Sequence, residues 1–99
     1  MRIHLVKFGK VLISRPAGKE AFLAIRPTLD PNAGVVEIDF SGIISFSPSW
    51  ADEFFVPLFG LFGTRLRLAA SDNLSVRATL SLLEKIHNIK FTAGAVSGV

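Results

Sequence analysis

Hydrophobic and polar positions change their period along the chain, and the changes predict its elements. Residues 2–8, RIHLVKF, alternate, which predicts a strand at or near a sheet edge because several of its members are polar. Gly9 and Lys10 make a turn, and VLI at 11–13 is a short apolar link. Ser14 is placed to cap a helix with Pro16 in its first turn, where a missing N–H costs nothing. Ala17, Ala21, Phe22, Ala24 and Ile25 supply its apolar stripe. Pro27 stops it, and LDPNAG at 29–34 is dense in turn formers. VVEIDF at 35–40 is apolar except for Glu37 and Asp39 and reads as a central strand. After Ser41-Gly42 and IISF, a second helix begins inside SFSPSWADEFF (45–55) and runs to Gly63, a good residue for the position just past its end. RLRLA at 65–69 alternates again. SDNLSVRATLSLLEKI at 71–86 has helical spacing, with Asp72 or Asn73 as cap and Val76, Leu80, Leu83 and Ile86 or His87 on one face. IKF at 89–91 predicts a last short strand, and TAGAVSGV a small-residue tail that frays.

Strands alternating with helices predict one small α/β domain over residues 1–99, with a mostly parallel or mixed sheet and three helices. Composition agrees with a packed core: 49% of the residues are apolar and only 19% charged, which excludes a disordered chain. No apolar stretch approaches the roughly 20 residues of a membrane span. The start, MRIHLVKFGK, mixes charge with apolar residues where a secretion signal would have an apolar core, so no leader is expected. With no cysteine there are no disulfides or thiolate metal sites, and a cytoplasmic protein is expected. The net charge is +3, but the basic residues form no run, which argues against nucleic acid as partner.

The segment SFSPSWADEFF concentrates the candidate chemistry. Ser49 followed by Asp52 has the capping-box form, and Ser47 with Pro48 at the first helical position is an equally good start. Asp52 and Glu53 then fall in the first turn and complement the helix dipole. A serine nucleophile would need a base within reach and usually a glycine-flanked elbow; Pro48 and Trp50 flank these serines instead. The two histidines, His4 and His87, read as solvated or as closing a helix. Asp39, Asp52, Glu53 and Asp72 could bind a divalent ion. However, Asp52 and Glu53 are neighbours on a helix, pointing about 100° apart, and make no clamp. GKE at 18–20 lacks the flanking residues of a phosphate-binding loop, so no cofactor is expected. Arg15 starts the first helix, where a cation opposes the dipole. It is therefore expected to pair with a carboxylate, Asp39 first, or to face an anion.

The second helix is more apolar than one sheet face requires. Trp50, Phe54, Leu58 and Leu61 form one stripe, with Phe55, Phe59 and Phe62 beside it. A single buried face needs a stripe of about 100°. Either neighbouring helices cover the excess, or Trp50, Phe54 and Phe55 mark a partner surface, with a homodimer the simplest case. Pro57 removes a hydrogen bond to the carbonyl of Glu53 and should bend this helix.

IDFSGIISFSPSWADEFF (38–55) resembles the core signature of STAS-like domains, small bacterial α/β proteins similar to sulfate-transporter and anti-sigma-factor-antagonist domains. FGKVLISRPAGKEAF (8–22) resembles their glycine, aliphatic, Ser-Arg pattern with a glycine inside the following helix. With DNLSVRATLSLLEKI (72–86), the likeness covers most of the chain. The resemblance implies a non-enzymatic regulatory module that binds a protein, with a histidine-kinase-type ATPase as candidate partner. In anti-sigma antagonists, a serine at a helix start is phosphorylated and binding is lost. Here that position falls on Pro48 or Ser49, with Ser47 where the family has an acid; the family's acid and glycine are both missing. Ser49, and next Ser47, are the candidate acceptors, with Pro48, Trp50, Asp52 and Glu53 forming the switch region. Two other classes stay open: a metal-dependent enzyme using Asp39 and Asp52, and a nucleic-acid accessory protein.

Overall fold

The structure is a computed structural model, and it describes residues 1–93. Among these residues, six strands and three α-helices follow one another: β1 (Arg2–His4), β2 (Val11–Leu12), α1 (Arg15–Ile25), β3 (Val36–Asp39), β4 (Ser45–Phe46), α2 (Pro48–Phe62), β5 (Leu66–Leu68), α3 (Leu74–His87) and β6 (Thr92–Ala93). The four-stranded sheet has the order β1-β3-β5-β6, and β2 pairs with β4 in a second, two-stranded sheet. Every pairing is parallel. The chain is thus a small α/β domain, with β1 at an edge and β3 inside the sheet.

Strand register explains the sheet's two faces. Ile3 lies beside Ile38, which lies beside Leu68, and all three are buried with Val36 and Leu66. The alternate positions place Arg2 beside Glu37 and Glu37 beside Arg67, with His4 beside Asp39. Arg2, His4 and Arg67 are exposed, while Glu37 and Asp39 are half-buried. Successive side chains of a strand point to opposite faces, so these five share the outer face. Parallel sheets are usually covered on both faces; here one face is left to charged side chains. Arg2 Nε lies 3.3 Å from Glu37, and His4 Nδ1 lies 2.8 Å from Asp39.

Several elements differ from expectation. The alternating stretch 2–8 is a strand only to His4; Leu5–Phe8 form a 3-10 turn. That turn buries Leu5 fully and brings Phe8 within ring contact of Trp50 and Phe54. VLI at 11–13 contains strand β2 rather than a link. The last strand is Thr92–Ala93, not 89–91, and its two residues were expected in the tail, of which 94–99 lie outside the described residues. Phe91 instead enters the core, its N–H donating to Glu84 at 2.8 Å.

Helix α2 is the centre of the core. Trp50, Phe54 and Phe55 are 1%, 0% and 0% exposed, and Ala51, Leu58 and Phe62 are buried with them. Trp50 stacks on Phe54 with ring centroids 4.9 Å apart, and Phe55 meets Phe40, Phe46 and Phe91 edge-on or tilted. Trp50, Phe54 and Phe55 are therefore not a partner surface. Helix α1 packs along one side of α2, while α3 and β5 pack on others, so its wide apolar surface is consumed inside the chain. Helix α1 comes close to the α2 main chain at Gly18, where a Cβ would sit 2.3 Å from the Trp50 carbonyl oxygen.

Candidate functional site

The chemistry-bearing residues gather where the starts of α1 and α2 meet the end of α3. Ser14 caps α1 by accepting the Ala17 N–H at 3.3 Å. Ser47, not Ser49, caps α2: its hydroxyl accepts the Trp50 N–H at 3.3 Å and donates to the Ile13 carbonyl at 2.6 Å. Pro48 then occupies the first helical position. A proline there is preset for the helix, which favours Ser47 over Ser49 as the residue before it. Ser49 is the second residue of the helix, half-buried, and its hydroxyl makes no hydrogen bond among the described residues. Ser47 is committed at both ends, so of the two candidate acceptors only Ser49 has its oxygen free.

The capping shift moves the acids. Counted from Ser47, Asp52 and Glu53 lie beyond the first turn, which holds no acid. They neither complete a capping box nor sit at the positive end of the helix. Both face Arg15 instead: its Nη1 donates to Asp52 Oδ2 at 2.8 Å and to Glu53 Oε2 at 2.9 Å. The expected partner, Asp39, is elsewhere. The two carboxylates do converge, contrary to the 100° argument, because their flexible side chains bring one oxygen each to a single nitrogen. The cation that opposes the α1 dipole is balanced by these two acids. Those same hydrogen bonds, Asp52 first, raise the Arg15 pKa above its ordinary value.

Asp52 has a second contact. Its Oδ1 is hydrogen-bonded to Nε2 of His87, the last residue of α3. One carboxylate thus joins α1, α2 and α3. Partial burial on its own would push the Asp52 carboxyl up; the Arg15 and His87 bonds outweigh it, and the group lies below the ordinary carboxylate value. A cleft of about 280 Å³ opens beside this cluster, lined by Phe22, Leu23, Val56 and Pro57 and by Lys19, Asp52, Glu53 and His87. The His87 imidazole is tied to the Asp52 carboxylate, and no hydroxyl is hydrogen-bonded to it among the described residues.

Asp39 serves a turn. It accepts the Ser41 N–H at 3.0 Å and the Ser41 hydroxyl at 2.8 Å, and it meets His4. The Ser41 N–H and hydroxyl lead in holding its pKa below the ordinary value. Asp39 and Asp52 therefore belong to separate groups of partners. Among the described residues, no group of three or more His, Cys, Asp or Glu is placed to hold a metal. No helix among them is long and apolar enough to cross a membrane.

Compared with known proteins, the chain matches no family model, no curated protein and no solved structure. Its functional reading therefore rests on its own residues and their geometry.

Proposed function

We propose that the protein is a non-enzymatic regulatory module that binds another protein in the manner of anti-sigma-factor antagonists. Its partner in this reading is a histidine-kinase-type ATPase, and its place of work is the cytoplasm. One observation carries the reading: the start of α2. A strand, β4, passes through the cap Ser47 directly into a helix whose second residue is a serine with a free hydroxyl. The antagonist resemblance likewise implies a phosphorylated serine at a helix start. A phosphate on Ser49 would lie at the positive end of the helix, where the N–H of Ser49 itself has no partner among the described residues. Asp52 and Glu53, which would repel it, are already engaged by Arg15, and Asp52 also by His87.

Affinity capture from native cell extract tests this, with wild type, Ser49→Ala and Ser49→Asp as baits of matched stability. The expected result is one ATPase recovered by wild type and Ser49→Ala and lost with Ser49→Asp, because a charge at the helix start blocks docking. Equal recovery by Ser49→Asp would retire the switch. Recovery of no ATPase by any bait would retire the partner.

A further inference from the structure

The two edges of the β2–β4 sheet are treated differently. On the β4 side, the Phe46 N–H donates to the Ser75 hydroxyl at 3.2 Å, and the Thr79 hydroxyl donates to the Phe46 carbonyl at 2.9 Å. Helix α3 thus closes that edge with side chains. On the β2 side, the Lys10 carbonyl accepts from Ile44 and Ser45, and the Leu12 carbonyl from Ser47, so these groups face β4. Successive residues of a strand offer their main-chain groups to opposite sides. The N–H and carbonyl of Val11 and the N–H of Ile13 therefore point outward, and among the described residues no strand pairs with them.

A groove of about 300 Å³ borders β2, lined on one side by Val11 and Leu12 and on the other by Ala17, Glu20, Ala21 and Ala24 of α1. Three of those four α1 residues are alanines, which leave room for a main chain. Val11 and Ile13 are 53% and 54% exposed. Charge around the groove is mixed: Glu20 lines it, and the chain leading into β2 is basic. Residues 1–19 contain Arg2, Lys7, Lys10, Arg15 and Lys19 and no acid. Arg2 and Arg15 are paired with carboxylates, whereas Lys7 and Lys10 have no acid in salt-bridge range among the described residues.

We propose that the outer edge of β2 receives an extended peptide segment of a partner protein, added as a strand in the groove against α1. An acidic side chain of that segment meets Lys10 and Lys7, and apolar ones lie beside Val11 and Ile13. Glu20 keeps acids out of the α1 side and so sets the peptide's orientation. Main-chain pairing supplies affinity and the flanking side chains supply selection, as in other strand-addition complexes. A second copy is a poor occupant, because pairing two such edges brings like charges together. The contact spans few residues, which suits an exchangeable partner. Trp50 of α2 also lines this groove but Ser49 does not, and Ser49→Asp is expected to leave peptide binding unaffected.

The test is selection from a displayed library of random peptides on the full chain, followed by affinity measurements. The selected peptides should carry an acid next to alternating apolar residues, and salt should weaken them. Val11→Pro removes an outward N–H while keeping an extended backbone tolerated on an edge, and should cost roughly tenfold in affinity. Lys10→Glu, at an exposed side chain, should reverse the preference towards basic peptides; it decides the matter alone if Val11→Pro fails to fold. The proposal is overturned if no peptide is selected, if the peptides show no acidic bias, or if neither variant affects binding. It is equally overturned if sedimentation shows a dimer that Val11→Pro dissolves, which would give the edge to a second copy.

Discussion

Gly18→Ala should destabilise the protein, although alanine is the better helix former. The residue is buried in the first turns of α1, and an added Cβ would lie 2.3 Å from the Trp50 carbonyl oxygen and 2.9 Å from its Cα. Ordinary carbon–oxygen contacts start near 3.3 Å, so the shortfall is about 1 Å. The neighbour is main chain and has no rotamer to change. Nor can the helix starts part freely, since Ser47 holds Ile13 and Arg15 holds Asp52 and Glu53. Relief comes from lifting α1 off α2, which loosens the packing of Ala21, Phe22 and Ile25. A gap of 0.5–1 Å forfeits about a quarter to a half of each dispersion contact. Overpacking of this kind costs about 1–3 kcal/mol, and this overlap belongs at the top of that range. Alanine recovers about 1 kcal/mol of helix propensity. The net loss is about 2 kcal/mol, or roughly 8–16 °C in Tm for a domain of this size.

Gly60→Ala is the internal control. Gly60 is exposed in α2 and has nothing within 4 Å of an added Cβ. Propensity acts there alone, and stability should rise by about 0.5–1 kcal/mol. Urea unfolding followed by circular dichroism measures both variants. Opposite signs support the close crossing of α1 over α2. Stabilisation by both would show that α1 does not touch the Trp50 main chain and would refute the reasoning.

The remaining predictions concern the α2 start and acid stability. Ser47→Ala removes the cap and orphans the Ile13 carbonyl bond, and should cost about 1–2 kcal/mol in urea unfolding. Ser49→Ala should stay within about 0.5 kcal/mol of wild type; the reverse order would return the cap to Ser49. For Asp52 the sign follows from its lowered pKa. The folded state holds the carboxylate more strongly than the unfolded chain does. The resulting stability is therefore present above the ordinary value of about 3.9 and is lost as pH falls through the lower folded value. Asp52→Asn should flatten this acid limb in a pH series of urea midpoints, and an unchanged limb would mean that the Arg15 and His87 contacts carry no linkage.

What could be read from the sequence was whatever depends on near neighbours. Ser14 with Pro16, Asn73 ahead of α3, and the apolar run of β3 each carry their signal within a few positions. Strand β2 has two residues, too few for any period, and its partner lies in a distant segment. Asp52 meets Arg15 and His87 at separations of 37 and 35 residues, contacts that only the packing of three helices creates. The misreading of Trp50, Phe54 and Phe55 has a definite cause: the 100° stripe assumes a helix with one buried face. A helix packed by α1, α3 and β5 needs apolar residues most of the way round, so the excess measured central position and not an unmet partner.

Glu37 and Asp39 are the converse case. A strand buried on both faces reads as a continuous apolar run, and two acids at alternate positions of VVEIDF break that run. In an antiparallel sheet this would be ordinary. Between two parallel neighbours it means that the helices cover one face only, and the structure has Arg2, His4 and Arg67 beside these acids on the other. Charged rows of opposite sign across the strands keep that face in water without a third layer. The interaction surface to look for on this chain is therefore not the apolar interior of α2. Open hydrogen-bonding groups lie instead at β2, where two half-exposed aliphatic side chains flank an edge unpaired among the described residues, with Lys10 next in the chain and Glu20 lining the groove.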